Sequence, residues 1–351
     1  MKALRLEEIG RLEVVELPDP APAADEVRLR IVATGICGSD IHGFTGDNGR
    51  RFPGQVMGHE SVAIIDALGE GVDGLSVGDV ATFNPVVVPE DELDAFAGRE
   101  QMAPGKHVIG VAREVVSSFA QLITVPARNV VPLPASMPIE LGALIEPLAV
   151  ALHAVRRAGV EPGDRVLVAG GGPIGQSTVL ALQMVGVERI AVTELSASRR
   201  DLVTRLGAIA LDAAGDDVVA RIHAALDGEA DVTIDAVGVE PTLRTSLQAT
   251  RQGGTVCLVG MGAPQLSLDA FLVSTQERSI VGSFTYAAAD FRDAAAWIGQ
   301  APPQAAELIS KSVPLEEGHE AFAELAAHAD IPGKVLIRVS EPTDIDTKEE
   351  R

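Results

Sequence analysis

The 351-residue chain is poor in several residue types that would mark a specialised class. It holds two cysteines, Cys37 and Cys257, too few to staple a chain of this length, which argues against a secreted disulfide scaffold. Basic residues are scarce: 28 Lys and Arg stand against 50 Asp and Glu, a formal net charge of −22. That balance supplies no basic face for nucleic-acid phosphates and no polybasic anchor for a membrane surface. No apolar run approaches the roughly 20 residues that cross a bilayer. The acidic residues in MKALRLEEIGRLEVVELP break the apolar stretch a signal peptide needs. The expected setting is the cytoplasm, without nucleic acid or membrane as partner, the acidic excess serving solubility. Aromatics make up only 3%, which leaves few rings for a large apolar pocket and favours a polar small-molecule substrate.

What is present is ordinary globular material, 46% hydrophobic and 22% charged, in a chain long enough for two cores. The first third reads as strands: KALRLEE, RLEVVEL, EVRLRIVATG and SVAIIDALG are short apolar runs separated by Pro, Gly and Asp. From Asn84 to Lys106 the pattern lapses, and a stretch that long inside a compact domain is usually a functional, or formerly functional, lobe. Past Met137, PIELGALIEPLAVALHAVRRAG reads as one helix, with Pro138 in an early turn and Gly159 at its end. Strand then alternates with helix: RVLVAG and a helix from about Pro173, RIAVTE and SASRRDLVTRLG, DVTIDAVG and EPTLRTSLQATRQGG, then TVCLVG and SIVGSF. Continuous Val/Ile/Leu strands between helices imply an α/β doubly wound parallel sheet covered on both faces. Residues 146–285 would form this inserted domain. Residues 1–145, completed by 286–351 and its strand KVLIRV, would form a β-rich one. The last stretch, SEPTDIDTKEER, has no apolar period and reads as a frayed tail.

Gly170, Gly172 and Gly175, with Pro173 and Ile174 between them, fit G-x-G-x-x-G after the strand RVLVA and at the start of a helix. In that context the first glycine permits the tight turn and the second lets the backbone approach a pyrophosphate. The third lets helix and strand pack closely, while the helix N-terminus offers free N–H groups to the anion. Without that context the pattern could mark any strand-to-helix turn. The next strand ends at Glu194, where a carboxylate would accept hydrogen bonds from the adenosine ribose and repel a 2′-phosphate. Glu194 could equally be a helix N-terminal acid, and Arg199 and Arg200 nearby could tolerate a phosphate. The balance favours NAD over NADP.

Cys37 in GICGSDIH, His59 and Glu60 in MGHES, and Glu146 in IEPLAV are the candidate metal ligands. A thiolate, an imidazole and carboxylates suit zinc, and three protein ligands leave a fourth position for substrate, the mark of a catalytic site. Each has an ordinary alternative. A lone cysteine is commonly a small core residue, and either glutamate could belong to a structural ion pair.

The segments GICGSDIHGFTG, MGHES, LSVGDVATFNPV, GREQ, IEPLAVALHAV, VLVAGGGPIGQ, DAVG and GSFTY run in order over nearly the whole chain. In them the sequence resembles the zinc-containing medium-chain alcohol dehydrogenase superfamily, in particular its polyol and threonine dehydrogenase branches. The resemblance implies a GroES-like catalytic domain beside a Rossmann domain, and NAD-linked oxidation of a secondary alcohol, best a polyol, to a ketone. It makes Cys37 and His59 zinc ligands, with Glu60 and Glu146 a ligand and its neighbour or alternate. Ser39 would pass the substrate proton toward His42, and Asp40 would support the ligands. Val237, Val259, Gly260, Ser283 and Phe284, with Arg199, would line the cofactor, and Phe44 and Tyr286 the substrate. Many relatives hold a second, structural zinc on four cysteines. Those positions here are Pro89, Glu92, Ala95 and Ala103, so that zinc is expected to be absent and the lobe held by packing or a subunit contact. The resemblance also implies a homotetramer or homodimer. Rival readings are a threonine dehydrogenase, a sugar or sugar-acid dehydrogenase, and a non-catalytic dinucleotide-binding protein.

Overall fold

The computed structural model describes residues 1–47, 49, 51–113 and 115–342. The expected tail SEPTDIDTKEER lies mostly beyond them. Two sheets dominate. The first orders its strands Ile309–Pro314, Lys334–Arg338, Glu26–Gly35, Glu60–Leu68, Val80–Phe83 and Val130–Pro132, with Leu122–Pro126 also paired to Glu26–Gly35. The strand Glu26–Gly35 explains how this sheet positions a site. Along its first half burial alternates, with Val27, Leu29 and Ile31 inside, while Arg28 and Arg30 reach out to share Asp66 on the neighbouring strand. Period two is what a sheet with one wet face demands. From Val32 to Gly35 every residue is buried, because Leu144, Ile145 and Leu148 of the following helical segments cover the second face.

The second sheet is wholly parallel, in the order Ile209–Asp212, Arg189–Glu194, Arg165–Ala169, Ala230–Asp235, Thr250–Leu258 and Ser279–Gly282. This is the doubly wound 3-2-1-4-5-6 arrangement, which opens a crevice beyond the carboxyl ends of its central strands. The strand Ile209–Asp212 and the helix Val218–Leu226 are absent from the sequence-based expectations; Ala, Gly and Asp dilute the pattern around the strand, whereas the helix buries Val218, Ile222 and Leu226 at helical spacing and was legible. The helix expected over 138–159 is divided into a 3₁₀ segment Ile139–Leu144 and an α-helix Ile145–Arg157. Pro147 gives the reason: it lacks an N–H, so the α-helix begins where that loss falls in the first turn. Gly159 follows its end at φ +71°.

The lobe between the strands is closed by a two-stranded ribbon, Val86–Val87 against His107–Val108. Inside it both Glu92 carboxylate oxygens accept from the Gly105 N–H, at 3.1 and 3.0 Å. The lobe docks through Glu100, which accepts from the Ala288 N–H at 3.0 Å, and Gln101, whose amide lies 3.3 Å from His153. One apolar core runs through both sheets, from Val32 and Val62 to Val166 and Val179. Among the described residues no helix is long and apolar enough to cross a membrane.

Candidate metal and dinucleotide site

Strand pairing brings the first ligands together. Gly35 pairs with Glu60 across two antiparallel strands, so the residues just beyond, Cys37 on one side and His59 on the other, meet at the sheet's end. Gly35 makes this possible, since a Cβ there would stand 2.2 Å from the Glu60 carboxylate. His59 follows Gly58, which turns at φ +100°, a conformation costly for any residue with a Cβ. Cys37 caps the helix Gly38–Thr45. The outcome is a Cys37–His59–Glu60 cluster whose ligand atoms all lie within 4.8 Å of one another.

Buried charge surrounds this cluster. Asp40 is fully buried; its Oδ2 accepts from the Cys37 N–H at 3.1 Å, and its Oδ1 lies 3.8 Å from His59 Nδ1 and 3.5 Å from Arg51. Burial raises the Asp40 pKa against the pull of His59 and Arg51. Burial would push His59 down, but the Asp40 carboxylate, the Cys37 sulfur and Glu146 outweigh it and raise its pKa to about 10. Lys334, 4% exposed, pairs with Glu60 Oε1 and donates to the Ile36 carbonyl at 3.4 Å. Glu146 accepts from the hydroxyl of fully buried Tyr286 at 3.0 Å. Its pKa is raised to about 7 by burial, opposed by His59 and reinforced by Glu60.

The residues present fit a zinc ion. Glu60 Oε2 has no hydrogen-bond partner among the described residues, and a buried polar atom of that kind calls for one. A thiolate, an imidazole and a carboxylate are donors zinc accepts, and a ring of acid that raises a histidine is a place where a cation is stabilised.

The candidate dinucleotide side is built of backbone. Gly170 turns at φ +98°, where a Cβ would meet Val237 at 2.4 Å, and a Cβ on Gly175 would stand 1.9 Å from the Gly170 carbonyl oxygen. Beside Gly172 there is open space, its nearest neighbour the Arg199 guanidinium 3.8 Å from a Cβ position. That is the cradle a pyrophosphate needs, with a cation at its edge. Glu194 Oε2 accepts from the Gly171 N–H and its Oε1 from the Ser196 N–H, both at 2.9 Å. Buried Asp235 accepts from the N–H groups of Val237 and Gly238, at 2.9 Å each, and from Thr242. It thereby fixes the turn against Gly260, whose Cβ would collide with Val237.

Comparison with known proteins agrees with this geometry. The alcohol dehydrogenase GroES-like domain matches residues 23–135, and the zinc-binding dehydrogenase domain residues 173–300. Sorbitol dehydrogenase of Gallus gallus is 34% identical over 321 residues, 89% of this chain and 90% of that protein. A probable D-xylulose reductase A of Emericella nidulans is 32% identical over 331 residues, 91% and 92%. The crystal structure of 2R,3R-butanediol dehydrogenase from Bacillus subtilis superposes with a TM-score of 0.86 at 28% identity, covering 96% of this chain and 99% of that one. The chain belongs to the zinc-containing medium-chain alcohol dehydrogenase superfamily, in its polyol branch.

Within this polyol-branch fold the expected residues divide. Cys37, His59 and Glu60 are brought together, and Glu146 stands close enough to act on both His59 and Glu60. Gly170, Val237 and Gly260 meet at the sheet's carboxyl edge, and Val259 hydrogen-bonds there to the Asp235 carbonyl. Ser39 and His42 are three residues apart in the helix Gly38–Thr45 and share a face, His42 exposed and 3.7 Å from Asp47. Ser283 buries its hydroxyl without a partner among the described residues, and Phe284 is exposed. Phe44 corrects its expected place: it is buried against Phe322 and His319, at 5.6 and 5.9 Å, because it lies on the inward face of its helix. It is core rather than substrate wall. Tyr286 turns its hydroxyl to Glu146 and its ring to Phe291, which places it beside the Cys37–His59–Glu60 cluster. Lys334, Arg51 and Asp235 were not foreseen as site residues, although Asp235 opens the DAVG segment and Lys334 is a cation heading the apolar strand VLIRV.

Proposed function

We propose that this chain is an NAD-linked polyol dehydrogenase that oxidises a secondary alcohol to a ketone with one catalytic zinc per chain, held by Cys37, His59 and Glu60 with Glu146 as neighbour or alternate. The single observation that carries the reading is the convergence of those three ligand atoms within 4.8 Å. When bound, zinc supplies Lewis acidity that lowers the pKa of the substrate hydroxyl, and the nicotinamide supplies the hydride acceptor.

The chain's own residues do the rest. Asp40 orients both the Cys37 loop and the His59 ring, and such partners commonly contribute 10- to 100-fold to metal affinity or activity. Lys334 holds one Glu60 oxygen and leaves the other free. Ser39, which can accept and donate at once, takes the proton from the substrate hydroxyl and passes it to His42 at the solvent edge. Tyr286 fixes Glu146. NAD is favoured over NADP because the Glu194 carboxylate is fastened to the glycine turn, where it repels a 2′-phosphate. Arg200 is meanwhile occupied by the carbonyls of Glu194 and Leu195. Polyols are favoured by the kinship with sorbitol dehydrogenase and D-xylulose reductase.

We also assign residues 146–285 to the dinucleotide domain, 1–145 with 286–351 to the catalytic domain, the cytoplasm as setting, and a homodimer or homotetramer as assembly. The test is a steady-state panel of polyols, diols, threonine and sugar acids with NAD and NADP, zinc being quantified on the same sample. About one zinc per chain, removed together with polyol oxidation by a chelator, is the expected result. Full activity in zinc-free protein would overturn the reading.

A further inference from the structure

Gln176 follows the last glycine of the turn and is fully buried in the helix Pro173–Met184. Its side-chain amide spends both hydrogens in different parts of the molecule. Nε2 donates to the Gly171 carbonyl at 2.7 Å, inside the glycine turn, and to the Pro332 carbonyl at 2.6 Å, in the segment leading to the strand Lys334–Arg338. Its Oε1 is buried without a partner among the described residues. A hydrocarbon side chain of similar length would bring no orphan acceptor of its own, but it would take this donor away from the Gly171 and Pro332 carbonyls. The amide therefore sits there at a cost, and what it produces is the bridge.

The segment it grips is held at both ends. Asp330 accepts from Ser196 and Ser198, at 3.0 and 2.5 Å, just past the strand that ends at Glu194. Two residues beyond Pro332, Lys334 pairs with Glu60, and its ammonium also donates to the Ile36 carbonyl. The Ile36 N–H in turn donates to the Val335 carbonyl at 2.9 Å, immediately before Cys37. Two residues span at most about 7 Å, so the carbonyl Gln176 holds and the lysine that holds Glu60 are close neighbours on one short segment.

We infer that Gln176 is a positioning residue that couples the two halves of the site. A dinucleotide on the glycine turn acts through Gln176, Pro332 and Lys334 on the Glu60 carboxylate, and each of dinucleotide and zinc changes the other's affinity. The inference rests on the reading of the turn as a dinucleotide site and of Cys37, His59 and Glu60 as a zinc site. Coupling of this kind is reciprocal, so one factor must appear in both binding constants.

The experiment measures the zinc Kd by chelator competition with and without saturating NADH, and the NADH Kd by fluorescence with and without zinc. In the unaltered protein each Kd is expected to shift by about fivefold or more, by the same factor. In Gln176→Met, which keeps the volume and removes the donors, both ligands still bind and the factor falls to within about twofold of one. Gln176→Asn keeps a buried amide one methylene too short to reach both carbonyls, and it is expected to lose the coupling as well if the methionine variant does not fold. A factor of one in the unaltered protein, or an undiminished factor in either variant, overturns the inference while leaving the zinc and dinucleotide sites standing. Failure of the unaltered protein to bind zinc or NADH at all would remove the site reading itself, and the coupling with it.

Discussion

The two walls of the site are made of different material. The candidate metal wall is side chain: Cys37, Asp40, His59, Glu60, Glu146 and Lys334 come from four separate places in the chain, and nearly all are buried charges that tolerate one another only as a set. The candidate dinucleotide wall is backbone: one turn of glycines at the end of the strand Arg165–Ala169, braced by the fixed carboxylates Glu194 and Asp235. A wall of charges is sensitive to the loss of any member. A wall of glycines is sensitive to the addition of any atom.

That contrast can be broken by experiment. The largest effect is expected at His59. His59→Ala should release zinc and lower kcat/KM by on the order of 10³-fold, the several kcal/mol a Lewis acid supplies, while NADH still binds; stoichiometric zinc in the variant would dissolve the metal wall as described. Next comes Lys334. Lys334→Met strands the Glu60 carboxylate in the interior and should destabilise the metal-free protein by about 3–5 kcal/mol, read by urea unfolding, with Lys334→Met combined with Glu60→Gln recovering most of it. If the single variant is as stable as the double, the buried pair is not what holds that charge.

At the other wall, Gly175→Ala places a methyl 1.9 Å from a carbonyl oxygen. About 3 kcal/mol of strain should weaken NADH roughly 100-fold and leave the zinc content at the parent level. Ser39→Ala should cost turnover about 10²-fold with zinc intact, and an unchanged rate would remove Ser39 from the proton path.

The smallest effect lies under the parallel sheet, far from either wall. Burial would raise Asp231, but the side chain and N–H of Arg165, together with Arg251, outweigh it and lower its pKa to about 2. A carboxylate held below its unfolded value of 3.8 stabilises the fold above that value, and the gain disappears as pH falls through 2. Asp231→Asn should therefore cost about 1–2 kcal/mol at pH 5, a deficit that narrows toward pH 2. A deficit independent of pH would mean that the charge contributes nothing.

The same contrast decides what could be read in advance. The glycine turn was legible as a turn because its strand, turn and helix occupy neighbouring positions and the constraint on each glycine is local. The strands Lys2–Glu8 and Glu26–Gly35 were equally plain from their apolar runs. The strand Ile209–Asp212 was not, since an edge strand, half exposed, needs little apolar pattern. Phe44 misled because a ring beside a site motif in sequence was assigned to the site, whereas helical rotation sends it into the core.

Sequence alone determined the candidate ligand types, the glycine turn, the alternation of strand and helix, and the absence of thiolates at Pro89, Glu92, Ala95 and Ala103, because each is a property of neighbouring residues or of composition. Tertiary structure alone decided that Lys334 neutralises Glu60, that Asp40 faces both Cys37 and His59, and that Gln176 ties the turn to the last strand. Those are pairings across distances the chain does not encode locally. They exist because burying a charge or an amide forces it to find whatever partner the fold brings within reach.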